Sequence, residues 1–498
     1  MGASLDIPAE LLHFLHRSPP QSLLVRGAPG TGKTTLALEI LRVFPGRKVY
    51  VSTRVRRSDL VADFPSLDRA VRNGSLSIVE DGGGGPDLAA AARALRSAKE
   101  LVVPDPSMRS NLQALLLPPE VLEAWSRASP SAPTIVVLDS WDAIVEKHLT
   151  SNGPSDRPLP AREELERLAF TQMAEGPVFL VMVVEHREAE QLEYLVNGVV
   201  SLEREVRDGR MERWLRFDKL RGTRIAHPSY PFSLEGGRFQ CIEPLRTNLR
   251  PDFRRADSEP GHSPGQIWPG SSDYAARFGW LPVHQLTLVE HDADVPLAAV
   301  NLLLNPIQSQ VFQRGGRIFI VPPPGIHPVD VWNLYQERFP GPAFGRQVRI
   351  LGVSVPGQPE ELTPAMLPLP SGGAGGFSPR TPEAARFLSD HGDQENPNLG
   401  VIWIEGLKAI NALAPGTYDA DTLPGMALTY LRQSPLHTLW VGPEEEPLTR
   451  SLRSMARTRL RLHFREGRVF IHGVDPRTPW LVLSEGDDQT PYRLLVVV

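Results

Sequence analysis

Gly27-Ala28-Pro29-Gly30-Thr31-Gly32-Lys33-Thr34 follows the spacing G-x-x-x-x-G-K-[ST]. Residues of these types at that spacing build a cradle for phosphate. Glycines leave backbone N–H groups free to converge on an anion without Cβ obstruction. A helix starting at Lys33 would add its partial positive end. Lys33 would bring a point charge to the β- and γ-phosphates, and Thr34 a hydroxyl to Mg²⁺, with Thr35 next along the helix completing the binding set. The expected ligands are ATP and Mg²⁺. The chemistry also needs an acid at the end of a buried strand, and Ile135-Val136-Val137-Leu138-Asp139 supplies one. An Asp there either reaches the magnesium through water or caps a helix, a task that Ser140 or Asp142 could share; the loop upstream favours magnesium.

These residues need a strand before the loop and a helix after it. Ser22–Arg26 is apolar, and the apolar residues from Lys33 recur with helical period. Short β-rich runs alternate with helical stretches throughout, the pattern of a mainly parallel sheet covered by helices. Strands are expected near 21–26, 47–53, 75–80, 134–139, 177–184 and 199–206, with a β-rich tail over 211–241. Helices are expected near 33–43, 58–71, 87–98, 119–127, 161–174 and 187–196.

The chain of 498 residues has room for two large domains or about three of ordinary size. Its two halves read as copies of one plan. The segment from Gln21 to Arg54 lines up with that from Gln285 to Pro323, residues 134–147 with 399–412, and 176–186 with 434–444. A proline- and glycine-rich stretch, 246–280, reads as a linker between a first domain (1–245) and a second (281–498). A second such stretch near 354–399 reads as an irregular or disordered insertion.

Further motifs follow the loop: Asp139-Ser140, then Asn197-Gly198-Val199-Val200-Ser201-Leu202, then Lys219-Leu220-Arg221-Gly222-Thr223. In combination these resemble the KaiC and RadA branch of RecA-like ATPases over roughly residues 8–243. Ser52-Thr53-Arg54-Val55, after the second strand, is most similar to the P-loop family of the gas-vesicle regulator GvpD. The resemblance implies a RecA-like P-loop domain for the first half; taken with the repeat of the two halves, it predicts an α/β fold of tandem RecA-like P-loop domains with mainly parallel sheets, the second degenerate. It also implies a homo-oligomer, of which a hexameric ring is one form. In such rings the Lys-x-Arg segment reaches a neighbour's γ-phosphate, so Lys219 and Arg221 are expected to act in trans; the alternative is a solvated strand.

The sequence departs from that family where a water-polarising glutamate should follow the second strand. Tyr50-Val51-Ser52-Thr53-Arg54 carries no carboxylate there, and Arg56 and Arg57 follow. Glu80, Asp81 and Glu185 are candidate substitutes. Without such a base, ATP should bind well and turn over slowly. In the second half the loop position reads Val289-Glu290-His291-Asp292-Ala293-Asp294-Val295-Pro296, with no glycine or lysine and three acids, so no nucleotide is expected there. Glu405 matches Asp139.

The balance of 53 basic and 58 acidic residues gives a formal charge of −5, which excludes a general polyanion coat but not a local basic face. One such segment holds Arg450, Arg453, Arg457, Arg459, Arg461, Arg465 and Arg468. It is either a solvated face or a binding surface for phosphate or an acidic protein, and few aromatics are interleaved for base stacking. Cys241 is the single cysteine, so no internal disulfide forms, and the longest strongly apolar run, Val178–Val184, is too short to span a bilayer. The expectation is a cytoplasmic, ATP-binding, KaiC-like regulatory or assembly protein with weak hydrolysis, its partner bound through the second domain. The alternative is a DNA-dependent recombination or repair ATPase of the RadA type; a third reading is a structural protein with vestigial ATP binding.

Overall fold

The computed structural model describes residues 6–17, 19–80, 121, 127–128, 133–151, 178–185, 190–246, 257–261, 265–322, 326–338, 343–352, 365–368, 400–405, 436–486 and 490–497. The helices expected near 87–98 and 161–174 lie outside these residues, as does nearly all of the one near 119–127. So does the insertion near 354–399, apart from 365–368. The chain forms two compact units, Met1–Glu243 and Pro244–Val496.

In the first unit the strands are β1 (Ser22–Gly27), β2 (Arg47–Ser52), β3 (Leu76–Glu80), β4 (Thr134–Asp139), β5 (Val178–Val184), β6 (Gly198–Arg207), β7 (Arg210–Leu220), β8 (Ser229–Ser233) and β9 (Gln240–Cys241). They lie in the order β3-β2-β4-β5-β1-β6-β7-β8-β9. The pairings from β3 to β6 are parallel, and those from β6 to β9 antiparallel. Thus β5 stands between the strand that feeds the glycine-rich loop and the strand that ends in Asp139.

Both faces of this sheet are covered, which is why its central strands are continuously apolar rather than alternating. Leu23 and Val25 of β1, Ile135 and Val137 of β4, and Phe179, Val181 and Val183 of β5 join one buried cluster. It includes Leu11 and Phe14 of the helix Ala9–Leu15 and Leu36 and Ile40 of the helix Lys33–Val43. Leu24, Val136, Leu138, Leu180 and Met182 point the other way, into a cluster with Trp141 and Val145 of the helix Trp141–Ser151. The single helix expected over 58–71 is two, Arg57–Asp63 and Ser66–Arg72. Pro65 separates them and excludes the helical conformation from Phe64, which sits at φ −126° and ψ 74°.

The second unit opens with a short pair, β10 (Gln266–Ile267) and β11 (Leu281–Pro282). The main strands follow: β12 (Leu286–His291), β13 (Arg317–Val321), β14 (Val348–Gly352), β15 (Met366–Pro368), β16 (Gly400–Glu405), β17 (His437–Pro443), β18 (Thr458–Arg465), β19 (Arg468–Asp475), β20 (Leu481–Glu485) and β21 (Tyr492–Val496). Their order is β15-β14-β13-β16-β17-β12-β18-β19-β20-β21. Reading β12 for β1, β13 for β2, β14 for β3, β16 for β4, β17 for β5 and β18 to β21 for β6 to β9 reproduces the first sheet, with β15 added at one edge. Parallel and antiparallel pairings change over at the same place, after β18. The stretch expected as linker is folded in part. Ser271 caps the helix Ser272–Phe278, accepting a hydrogen bond from Tyr274 N, and Ile267, Tyr274, Phe278 and Leu281 are buried in the second unit's core.

Candidate nucleotide site

Strand β1 delivers the chain to the loop at Gly27, and the helix Lys33–Val43 leads it away. A Cβ on Gly27 would stand 2.5 Å from Leu202 O and 2.7 Å from Thr31 Oγ1, so no other residue fits against β6 there. Gly32, at φ +98°, turns the chain into the helix in the left-handed region. Within the loop Thr31 Oγ1 donates to Ala28 O at 2.9 Å. The Lys33 ammonium folds over the cradle, donating to Gly27 O at 2.8 Å and Ala28 O at 3.0 Å. Burial lowers the Lys33 pKa; Glu185 and Asp139 act against it, Arg54 adds to it, and Asp142 opposes it more weakly.

The two residues expected at the magnesium meet directly: Thr34 Oγ1 donates to Asp139 Oδ2 at 2.7 Å. The sequence reading missed Tyr50, whose hydroxyl donates to the same oxygen at 2.6 Å. Burial holds the Tyr50 phenol well above its ordinary pKa, reinforced by the Asp139 charge, so it remains a donor. This convergence follows from register: Ser52 of β2 pairs with Asp139 of β4, and Tyr50 with Val137. Asp142 does not compete for the site, because its Oδ2 accepts a hydrogen bond from Glu185 N at 2.7 Å.

Ser52-Thr53-Arg54 has a structural account. Ser52 Oγ donates to Val55 O at 2.6 Å and accepts from Val55 N at 3.2 Å, closing a tight turn. Thr53 N donates to Asp139 O at 2.9 Å, and Thr53 Oγ1 accepts from Ser140 N at 2.9 Å, tying the turn to the end of β4. The turn presents Arg54, which pairs with Glu185. Of the other candidate carboxylates, Glu80 caps the helix Arg57–Asp63 by accepting from Arg57 N at 2.6 Å, and Asp81 lies outside the described residues.

A second set of cations at the loop was also missed. Strands β6 and β7 form a long hairpin in which Arg204 faces Arg213. Arg213 Nη1 donates to Gly30 O at 2.7 Å, and Arg204 Nη1 lies 3.8 Å from where a Gly30 Cβ would be. Burial, then the Arg204 charge, lowers the Arg213 pKa. No loop motif signals this pair, since it depends on hairpin register.

Lys219 and Arg221 are not brought to their own loop. Lys219 stands opposite Val199, which pairs with Leu24, towards the amino-terminal end of β1, whereas the loop leaves its other end. Lys219 Nζ donates to Glu193 O at 2.7 Å and Arg221 Nη2 to Tyr194 O at 3.4 Å, both at the end of the helix Glu190–Leu195. Burial, then Arg221, lowers the Lys219 pKa. Beside them the Tyr194 ring is 80% exposed, the largest exposure of a large apolar side chain among the described residues.

The corresponding turn of the second unit is shut. Asp292 N donates to Leu462 O at 3.1 Å, extending the ladder to β18, and Asp292 Oδ2 pairs with His463 Nδ1 at 2.8 Å. Glu290 is fully buried and pairs with Arg453 at 2.6 Å, Arg459 at 3.2 Å and Arg461 at 3.8 Å. Arg465 lies over the Phe470 ring at 3.8 Å, and Arg468 is buried. Most of the arginines of the 450–468 segment are therefore engaged within the unit, while Arg450 and Arg457 are exposed. The match of Glu405 to Asp139 extends to its place at the end of β16.

Among the described residues no helix is long and apolar enough to cross a membrane. A family model described as the GvpD gas vesicle protein, P-loop domain, matches residues 11–218. Proteins GvpD2 and GvpD1 of Halobacterium salinarum are each 33% identical over 247 residues, covering 48% of this chain and 44% and 41% of the relatives. The aligned stretch thus spans less than half of either relative. A solved KaiC-like protein from Pyrococcus horikoshii OT3 is 18% identical, with a TM-score of 0.31, covering 45% of this chain and 89% of that one.

Proposed function

We propose that this chain, whose amino-terminal part is similar to the P-loop domain of GvpD, is a cytoplasmic switch that binds Mg·ATP, hydrolyses it slowly and uses it to control assembly or partner binding. The observation that carries this reading is the glycine-rich loop leading into Lys33, with Thr34 hydrogen-bonded to Asp139, beside a strand end without a carboxylate. Gly27 to Gly32 offer backbone amides to the phosphates, Lys33 their counter-charge, and Thr34 and Asp139 the metal ligation, with the Thr34–Asp139 contact already made at 2.7 Å. Mg²⁺ held by Thr34 and Asp139 would supply positive charge against the negative charge of the triphosphate. Thr53 and Arg54 occupy the place where a water-positioning acid would stand, so turnover is slow.

Lys219 and Arg221 point to action in trans, because both lie towards the other end of the sheet from their own loop. They would meet a phosphate only in another copy, which makes nucleotide a ligand of the assembled state. The second unit keeps the sheet without the loop, which suits a partner-binding role. A DNA-dependent ATPase draws less support, since Arg453, Arg459 and Arg461 face Glu290 rather than a ligand.

Equilibrium binding of a fluorescent ATP analogue, measured alongside sedimentation with and without Mg·ATP, tests the reading. The parent protein binds and changes size; Lys33→Ala binds about 10–100-fold more weakly, the loss of a charge-assisted contact to phosphate. A parent that ignores nucleotide in both measurements would refute it.

A further inference from the structure

We propose that Glu185 is the water-activating carboxylate of this site and that Arg54 holds it latched. The inference rests on the Mg·ATP reading above and adds a residue and a regulation to it. Three carboxylates were candidates for the missing base. Glu80 caps a helix, Asp81 lies outside the described residues, and Glu185 directly follows β5, the strand between β1 and β4. Register fixes that position: Val184 pairs with Arg26 on one side, so Glu185 is level with Gly27, where the loop begins. On the other side Val183 pairs with Asp139, so Glu185 is two residues past the magnesium acid. Its backbone is fixed by the bond from Glu185 N to Asp142 Oδ2 at 2.7 Å.

The latch is built from the same turn that replaced the expected acids. Ser52 and Thr53 tie that turn to Val55 and to Asp139 and Ser140, and Arg54 projects from it onto Glu185. While its oxygen is taken up by the Arg54 guanidinium, the carboxylate is not offered to a water. With Arg54 at 53% exposure, the pair is of the weak, solvent-screened kind that a ligand or partner can open. Once free, Glu185 orients water: its oxygen attacks the γ-phosphorus as the bond to the β,γ-bridging oxygen breaks. The water proton passes to Glu185 and then to the released inorganic phosphate, leaving ADP.

The test is a gain of function. Arg54→Gln should raise the turnover of saturating Mg·ATP about 10-fold or more, within the range general bases supply. Arg54→Lys should stay near the parent, and Arg54→Gln with Glu185→Gln should lose the gain and turn over no faster than the parent. A readout without turnover accompanies this: Arg54→Gln should bind ADP with Mg²⁺ and fluoroaluminate more tightly than the parent does, and ADP alone equally well. Equal ADP binding also shows that the variants are folded. An Arg54→Gln protein that binds ADP but is neither faster nor tighter for fluoroaluminate overturns the latch alone, as does a gain that survives Glu185→Gln. A parent that binds no nucleotide overturns the function reading as well.

Discussion

At the scale of single residues the site is a set of donors converging on one carboxylate oxygen. Asp139 Oδ2 accepts from Thr34 at 2.7 Å and from Tyr50 at 2.6 Å, and Tyr50 is 1% exposed. A carboxylate held in this way presents its charge to a cation in one orientation, and partners behind a metal ligand commonly govern metal affinity by 10–100-fold. Tyr50→Phe should therefore weaken Mg²⁺ dependence of nucleotide binding by about 10-fold while leaving metal-free ADP binding as it was, which a magnesium titration at fixed ADP would read. Equal weakening with and without magnesium would place Tyr50 in general packing instead. The placement of the loop between β1 and its helix, and of Asp139 at the end of β4, was legible in sequence because each occupies a fixed offset from a strand or helix end. Tyr50 was not, because it reaches Asp139 through a pairing of strands 89 residues apart.

Elements explain what residue types alone misread. The arginines between 450 and 468 look like a basic face when counted along the chain. The partner that draws three of them inward, Glu290, is more than 160 residues away at the penultimate position of β12, and it is adjacent only because β12 pairs with β18. Strand β17 offers the clearest titration. His437 opens it fully buried, accepting from Thr287 Oγ1 at 3.1 Å and donating through Nδ1 to Pro282 O at 2.7 Å. Burial lowers its pKa to about 4, partly opposed by the Pro282 carbonyl. An unfolded chain takes up this proton near pH 6.5 while the fold refuses it until about 4. Stability from this group is thus complete above pH 6.5 and lost as pH falls towards 4, by about 3 kcal/mol. Denaturant melts of the parent and His437→Gln between those pH values should converge as pH falls, and parallel pH profiles would show that His437 does not set the slope.

Over the whole molecule, two sheets of matching strand order carry opposite fates at the same position. In one, the strand end opens into Gly27 to Gly32; in the other, Asp292 N bonds Leu462 O and the turn closes. With nucleotide bound at the loop of the first unit alone, as proposed, any response across an assembly would come from contacts between copies. Lys219 and Arg221 lie away from their own loop beside the 80% exposed Tyr194, so a contact that used them would join unlike surfaces of successive copies, closing a ring or running on as a filament. Tyr194→Glu should then abolish the size increase on adding Mg·ATP, read by sedimentation velocity, without weakening nucleotide binding in dilute solution. Coupling between assembly and nucleotide is reciprocal. The parent's ATP affinity should therefore rise with protein concentration, whereas the Tyr194→Glu variant should show one affinity at every concentration. Parent binding that is independent of concentration would remove the link between nucleotide and assembly, and with it the reason for placing two cations so far from the phosphates of their own chain.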